Sequence, residues 1–342
     1  MPTSPDNSPS PSRTSGRRLS VVVPAYNEND VLAHFHERLD QVLDGLDLDT
    51  DIIYVNDGSS DGTLEVMLGL RAADPRVAVI DLSRNFGKEI ALTAGLDHAR
   101  GDAAVIIDAD LQDPPELIPE LVRGWQDGYD VVYAQRISRQ GESLGKRTTA
   151  HLFYRLMQRL GGQVTIPADT GDFRLLSRRA IDALGRLREQ HRFMKGLFAW
   201  VGFRQRAVPY HRDPRFAGKS KWNYWQLWNF SIEGITSFTI APLKVATYVG
   251  SLTALFAFAY GIYIIIDTLI YGNPVAGYPS LMVVVLFLGG LQLMTIGILG
   301  EYLGRVFNEA KRRPLYIVQD YLPAASAEAA PPAERPAAIG KG

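Results

Sequence analysis

Two apolar stretches near the C-terminus constrain this 342-residue chain more than any other feature. Leu243–Ile266 carries one charge, Lys244, at its edge, and Leu281–Leu299 carries none. Each is long enough to cross a hydrocarbon core of about 30 Å. Two readings follow: membrane spans at about 243–267 and 279–301, or a pair of buried core helices. Runs this long without charge are uncommon in soluble domains. The linker Asp267–Ser280 has no Lys or Arg, whereas the flanks hold Lys219, Lys221 and Lys244 on one side and Arg305, Lys311, Arg312 and Arg313 on the other. The positive-inside rule then puts both flanks in the cytoplasm and the linker outside. The expected layout is a multi-pass protein of the cell (inner) membrane with two spans and with both termini cytoplasmic. Residues 222–242, rich in Trp and Tyr with one acid, Glu233, read as an interfacial amphipathic segment.

Residues 1–16 are rich in Pro and Ser, lack the apolar core of a signal peptide, and read as a disordered tail. Residues 306–342 read as a cytoplasmic tail, disordered after about 322, where Ala and Pro dominate. Between the tails, the part from Leu19 to about Val132 alternates short apolar runs with helical periodicity. Strands are expected at Leu19–Val23, Asp51–Val55, Val77–Leu82, Ala103–Ile107 and Asp130–Tyr133. Helices are expected at Asp30–Leu46, Thr63–Leu70, Lys88–Ala99 and Pro115–Trp125. That order predicts an α/β domain, residues 17–221, with an open, mostly parallel sheet covered on both faces. Residues 140–221 are basic and mixed, with helices expected at Lys146–Leu160 and Ser177–Leu187. Residues 136–221 hold more than half of the 36 Lys and Arg, which suits an anionic partner. The net charge of −1 argues against a nucleic-acid partner, and the absence of Cys excludes disulfides, thiolate metal sites and thiol nucleophiles.

In open α/β sheets, ligands bind beyond the C-terminal ends of the strands. The polar clusters of this chain fall there: after Val23, Val55, Leu82 and Ile107. The last begins Asp108-Ala109-Asp110. Alone, that triplet could be a solvated turn. At a strand end, two carboxylates two residues apart can reach one hard cation, Mg²⁺ or Mn²⁺, which shares its shell with substrate phosphates. Gln112 can add an amide oxygen.

Four runs stand in order: Val21-Val22-Val23-Pro24-Ala25-Tyr26-Asn27-Glu28, Val55-Asn56-Asp57-Gly58-Ser59-Ser60-Asp61-Gly62-Thr63, Arg84-Asn85-Phe86-Gly87-Lys88, and Asp108 to Glu116. Together they resemble the family 2 glycosyltransferases with a GT-A fold. Thr170-Gly171-Asp172-Phe173-Arg174-Leu175 and the two apolar stretches narrow the resemblance to the polyprenyl-phosphate branch, that of dolichol-phosphate mannose synthases and bactoprenol glucosyltransferases. The resemblance covers about residues 18–320. It implies a nucleotide-sugar site made by Pro24, Tyr26, Glu28, Asp57, Gly87, Lys88, Asp108 and Ala109, with Asp57 reading the base or ribose. It implies metal ligation by Asp108, Asp110 and Gln112. Gly87 and Lys88 also read as an ordinary helix start. Arg215 and Lys219 match a loop that closes over the diphosphate, and they equally suit attraction to anionic lipid.

The implied acceptor is a polyprenyl phosphate, undecaprenyl or dolichyl. A phosphate with its second pKa near 6 is mostly a dianion at pH 7, so it needs positive charge to hold it more than a base to activate it. Arg136, Lys146 and Arg147 match basic acceptor-phosphate positions, although Lys146 and Arg147 also suit a solvated helix face. Asp172 matches the family's catalytic position, as a base or as an orienting group, and Asp169 is a second candidate. Asp172, Asp110 and Arg136 are the catalytic set. The expected reaction is an inverting, metal-dependent transfer of one sugar from a nucleotide donor, UDP-glucose first. Mannose from GDP-mannose or an aminoarabinose-type sugar are alternatives. A processive polysaccharide synthase is disfavoured because no Q-x-x-R-W run occurs, and a non-catalytic scaffold is disfavoured by the intact acids. The resemblance also implies a homo-oligomer.

Overall fold

The computed structural model describes residues 17–137, 170–211, 241–271 and 277–325. The tail 1–16, the helix expected at 146–160, the amphipathic segment up to residue 240 and the residues after 325 lie outside it. So do the candidates Lys146, Arg147, Asp169, Arg215 and Lys219.

An eight-stranded sheet organises the first two described segments and closes with the last. Its strands are β1 (Arg18–Ala25), β2 (Asp49–Asn56), β3 (Val77–Leu82), β4 (Ala103–Ile106), β5 (Val131–Arg136), β6 (Thr170–Ser177), β7 (Gln205–Tyr210) and β8 (Val318–Leu322), in the order β7-β5-β6-β4-β1-β2-β3-β8. β1 pairs in parallel with β2 and β4, β2 with β3, and β5 with β7. Antiparallel pairs join β4 to β6, β5 to β6 and β3 to β8. The mostly parallel, helix-covered sheet expected from the sequence is the one observed.

The near-continuous apolar run of β1 follows from burial on both faces. Val21 and Val23 pack on one side with Ile52, Tyr54 and Val105, under Phe35 and Leu39 of α1 (Leu32–Asp44), Met67 of α2 (Thr63–Ala73) and Leu121 of α4 (Ile118–Gln126). Val22 packs on the other side with Ile53, Ile80 and Ile106, under Leu92 of α3 (Lys88–His98), Ile181 of α5 (Arg178–Gly185) and Leu197 of α6 (Met194–Trp200). Full burial of a Val, Leu, Ile or Phe side chain is worth roughly 1.5–3 kcal/mol relative to exposure.

The apolar stretches form α7 (Ala241–Tyr271) and α8 (Tyr278–Ala310). The windows Val245–Tyr263 and Phe287–Ala310 are long and apolar enough to cross a membrane, and almost none of either is buried within the protein. Leu252, Phe256, Phe258 and Leu269 are exposed, which removes the reading of α7 as a core helix of the described domain. α8 continues past the span expected to end near 301. Arg305 pairs with Glu301 one turn earlier.

Residues 306–322 were expected as tail. They instead extend α8, turn, and add β8 to the edge of the sheet. Glu309 accepts from Gln190 N–H at 2.6 Å, Ser83 N–H donates to the Ile317 carbonyl, and Tyr316 Oη donates to Asp97 at 2.8 Å. Arg71 donates twice to the Pro323 carbonyl, and His98 and Tyr321 rings lie 4.8 Å apart. β6, α6 and β7 were also not anticipated. β6 has a Gly, an Asp and an Arg inside a buried strand, and β7 carries Pro209, which suits its place at the sheet edge.

A chain ending at Arg313 loses β8 and leaves β3 as an open edge. Hydrogen exchange is expected to speed up at residues 79–82 while the amides of β1 and β4 keep their protection. Unchanged protection of β3 would show that β8 contributes nothing to the sheet.

Candidate active site

The parallel strands β1 to β4 deliver their C-terminal loops to one edge of the sheet. The loop after β2 is the hub. Gly58, at φ +63°, lies against the loop after β3: a Cβ there would sit 2.4 Å from the Arg84 carbonyl carbon. Asn27, also at positive φ, accepts from Ser60 N–H at 2.9 Å, and its own N–H donates to Ser59 Oγ at 3.0 Å. Glu28 N–H donates to Thr63 Oγ1 at 2.9 Å. Asp57 is buried and accepts from the N–H groups of Phe86 at 2.7 Å and Gly87 at 3.0 Å. Each oxygen keeps further acceptor capacity, so the carboxylate can hold the loop and still face a ligand. Gly87, at φ +97°, is the turn that starts α3 and aims Lys88 at the strand ends. Tyr26 is exposed at the mouth of these loops, whereas Pro24 and Ala109 are buried and shape the backbone.

Asp172 reaches this edge by a different route. β6 runs antiparallel to β4 with Ile106 opposite Arg174. Two residues further toward the edge on each chain are Asp108 and Asp172. The Lys88 ammonium joins them, 2.6 Å from Asp108 Oδ2 and 2.7 Å from Asp172 Oδ2. Asp172 Oδ1 is buried without a hydrogen-bond partner. The backbone of residues 171–172 is fixed from below: Arg174 donates to the Gly171 carbonyl at 2.7 Å and the Asp172 carbonyl at 3.3 Å, with its guanidinium 3.9 Å over the Phe198 ring. Burial lowers Arg174 to about 10.

The site crowds carboxylates and cations together at one sheet edge. Burial pushes the Asp108 carboxyl up, against the pull of Lys88, and Asp172 and Asp113 push it further. Asp172 is also pushed up by burial, but Lys88 and Lys195 hold it well below the usual carboxylate range. Glu89, which accepts from Met194 N–H at 3.1 Å, is raised to about 7 by burial and by the charge of Asp172. Asp110 accepts from Gln112 N–H at 3.1 Å, and Leu111 between them adopts positive φ, so the turn after β4 is tightly wound.

These observations fit a divalent cation bound with a ligand. Asp108 and Asp110 share a turn, and a carboxylate oxygen at the same edge, Asp172 Oδ1, is buried without a partner. Among the described residues no three His, Asp or Glu side chains form a complete metal site. A hard cation held by Asp108 and Asp110 would take the rest of its shell from phosphate oxygens and water.

The arrangement brings together Glu28, Asp57, Gly87, Lys88, Asp108, Asp110 and Asp172. Arg136 ends β5 at the same edge, where its Nε donates to Tyr210 Oη at 3.2 Å. Sequence reasoning missed Glu89, Lys195 and Tyr210. Only the proximity of Glu89 to Lys88 offered any signal, because α6 and β7 were not recognised.

Glu89 gives the site a pH signature. The folded protein holds its proton up to about pH 7, whereas an unperturbed Glu loses it near 4.5. The folded state therefore binds more protons than the unfolded one across that window, and stability falls as pH rises through it. Glu89→Gln is expected to flatten this fall in thermal melts between about pH 5 and pH 8. Equal slopes in both proteins would contradict the placement of a protonated carboxyl there.

Comparison with known proteins agrees with this architecture. Residues 20–185 match Glycosyl transferase family 2, and residues 241–306 match the GtrB C-terminal hairpin. A glycosyltransferase of Synechocystis sp. is 54% identical over 310 residues, 89% of this chain and 97% of that protein. The bactoprenol glucosyl transferase of Shigella phage SfV is 47% identical, over 89% of this chain and 98% of its own. The prophage bactoprenol glucosyl transferase homolog of Escherichia coli K12 is 46% identical, over 88% and 98%. The chain is a glycosyltransferase and belongs to glycosyl transferase family 2, with the GT-A type of sheet and the C-terminal hairpin of its bactoprenol-glucosylating relatives.

Proposed function

We propose that this glycosyltransferase moves one glucose from UDP-glucose to a polyprenyl phosphate at the cytoplasmic face of a membrane, with inversion and with help from Mg²⁺ or Mn²⁺. The observation that carries the reading is the meeting of Asp108, Asp172, Lys88 and Arg136 at one sheet edge, in a chain that also exposes two membrane-length apolar helices. The names of the bactoprenol relatives support glucose and the lipid acceptor.

In this reading the loops after β1, β2 and β3 bind the nucleotide, Tyr26 against the base and Asp57 against base or ribose. Asp108 and Asp110, with the Gln112 amide, hold the cation together with the diphosphate. When bound, that cation would supply neutralisation of the charge growing on the leaving nucleoside diphosphate. Lys88, already between Asp108 and Asp172, is close enough to help that departure. The acceptor phosphate oxygen attacks the anomeric carbon from the opposite face. Arg136 holds that phosphate in line.

Asp172 orients rather than takes a proton. Lys88 and Lys195 keep it ionised, which makes it a weak base, and the phosphate dianion brings no proton to remove.

The membrane reading draws on two observations. Lys and Arg flank the apolar helices and are missing from the linker. After α8 the chain returns to the same sheet that precedes α7, as a hairpin crossing twice must allow. The catalytic domain and both termini then lie on the cytoplasmic side, with 222–242 at the interface.

Radiolabelled UDP-glucose, GDP-mannose and other nucleotide sugars, offered with polyprenyl phosphate in membranes, test the reading directly. Lipid-linked glucose from UDP-glucose alone is the expected product; long polymer, or transfer only from a GDP-sugar, overturns it. Asp110→Asn is expected to lower turnover by at least about 100-fold while the protein stays folded. Near-normal activity would sink the metal assignment. Arg136→Ala is expected to raise the acceptor KM or lower kcat with the donor KM little changed, and loss of nucleotide binding instead would move Arg136 to the donor side.

A further inference from the structure

Arg136 ends β5 and Tyr210 ends β7, and the two are register partners on parallel strands. Their side chains therefore leave the same face of the sheet at the ligand edge. Tyr210 is buried, and its hydroxyl touches two groups: Asp113, one residue beyond Gln112, and Arg136. Asp113 is almost fully buried. A phenol has one proton to give. A carboxylate can only accept and a guanidinium can only donate, so the chain of bonds has one direction: Arg136 Nε–H to Tyr210 Oη, then Tyr210 O–H to Asp113 Oδ1.

The far end of the same guanidinium lies beside the catalytic edge. Arg136 Nη2 is 3.0 Å from the point where a Cβ on residue 171 would stand, and residue 171 is Gly. Gly171 therefore leaves the space that the Arg136 guanidinium occupies at the end of β6. With Nε committed to Tyr210, the Nη end of the group is the part directed to an anion.

We propose that the Asp113–Tyr210 pair is a positioning device that fixes the plane of the Arg136 guanidinium beside Gly171 at the ligand edge and thereby sets recognition of the acceptor oxyanion. The proposal rests on the reading of Arg136 as the acceptor-phosphate contact. A freely rotating Arg loses side-chain entropy when it grips phosphate, and a pre-set one has less to lose. Two features keep the pair in this state. Burial and the Asp113 charge hold the Tyr210 phenol protonated, and Arg136 stays charged despite burial because Tyr210, Asp113 and Asp108 favour its cation. Neither residue need touch substrate, and the pair connects the turn after β4, which carries Asp110, to the acceptor side.

The test is a kinetic cycle on the full chain in membranes, with UDP-glucose and a polyprenyl phosphate. Tyr210→Phe is expected to raise the acceptor KM about 10-fold, the loss typical of a hydrogen bond to a charged group, with the donor KM within about 2-fold. Asp113→Asn is expected to move the same constant by less. In an Arg136→Ala background, Tyr210→Phe is expected to add nothing, because the device then has no guanidinium to orient. Multiplying effects in the double variant overturn the positioning role, as does a Tyr210→Phe protein that melts lower but keeps its acceptor KM. If Arg136→Ala changes donor constants and Tyr210→Phe follows it without adding, positioning stands and the acceptor reading fails. If Arg136→Ala raises the acceptor KM and Tyr210→Phe acts independently of it, the acceptor reading stands and positioning fails. Should Tyr210→Phe not accumulate, Asp113→Asn in the same two backgrounds carries the same decision.

Discussion

The antiparallel pairing of β6 with β4 is the constraint on which the rest of the site depends. Parallel strands carry their loops to one edge, and they alone would supply a nucleotide cleft with Asp57, Lys88 and Asp108. A strand running the other way brings its N-terminal end to that edge instead. The Ile106–Arg174 register is what sets Asp172 opposite Asp108. A slip of one residue would turn every β6 side chain to the other face. Arg174, buried on Phe198 and bonded to the carbonyls of 171 and 172, holds the strand end in place.

Electrostatics then follow from burial. Asp108, Asp113, Asp172 and Glu89 crowd a region where Lys88 is the ammonium in direct contact with two of them. A buried carboxylate is costly unless it is paired. The cluster meets that cost in three ways: an ion pair at Asp172, a phenol donor at Asp113 and a retained proton at Glu89. In the proposed transfer an acceptor that is already anionic needs cations aimed at it, and Arg136 would serve that side and Lys88 the other.

The C-terminal return of the chain joins this chemistry to the hairpin. α8 ends in contact with Gln190 and His191, and β8 caps β3, the strand that leads into the Arg84–Lys88 loop. The apolar helices are thus fastened to the domain on the side of the nucleotide loops. A lipid acceptor needs that tie, because its phosphate is held at a fixed height above the bilayer and the site must meet it there.

Much of this was legible in the residues. The β-α alternation from Leu19 to Tyr133, the strand-end clusters and the two apolar stretches follow from local periodicity, and β3 was bounded to the residue at Val77–Leu82. Asp108 and Asp110 could be placed because a strand end is a local feature. β6, α6, β7 and β8 were not legible. Thr170–Ser177 mixes Gly, Asp and Arg with apolar residues and has no clear strand period, and Val318–Leu322 is too short to declare itself without β3 beside it. The sequence by itself determined which polar loops stand at the strand ends. Only the tertiary structure decided that Lys88 bridges Asp108 to Asp172 and that Tyr210 stands between Asp113 and Arg136. Those contacts join segments separated by the pairing of distant strands, and strand register is fixed by long-range packing that no local pattern encodes.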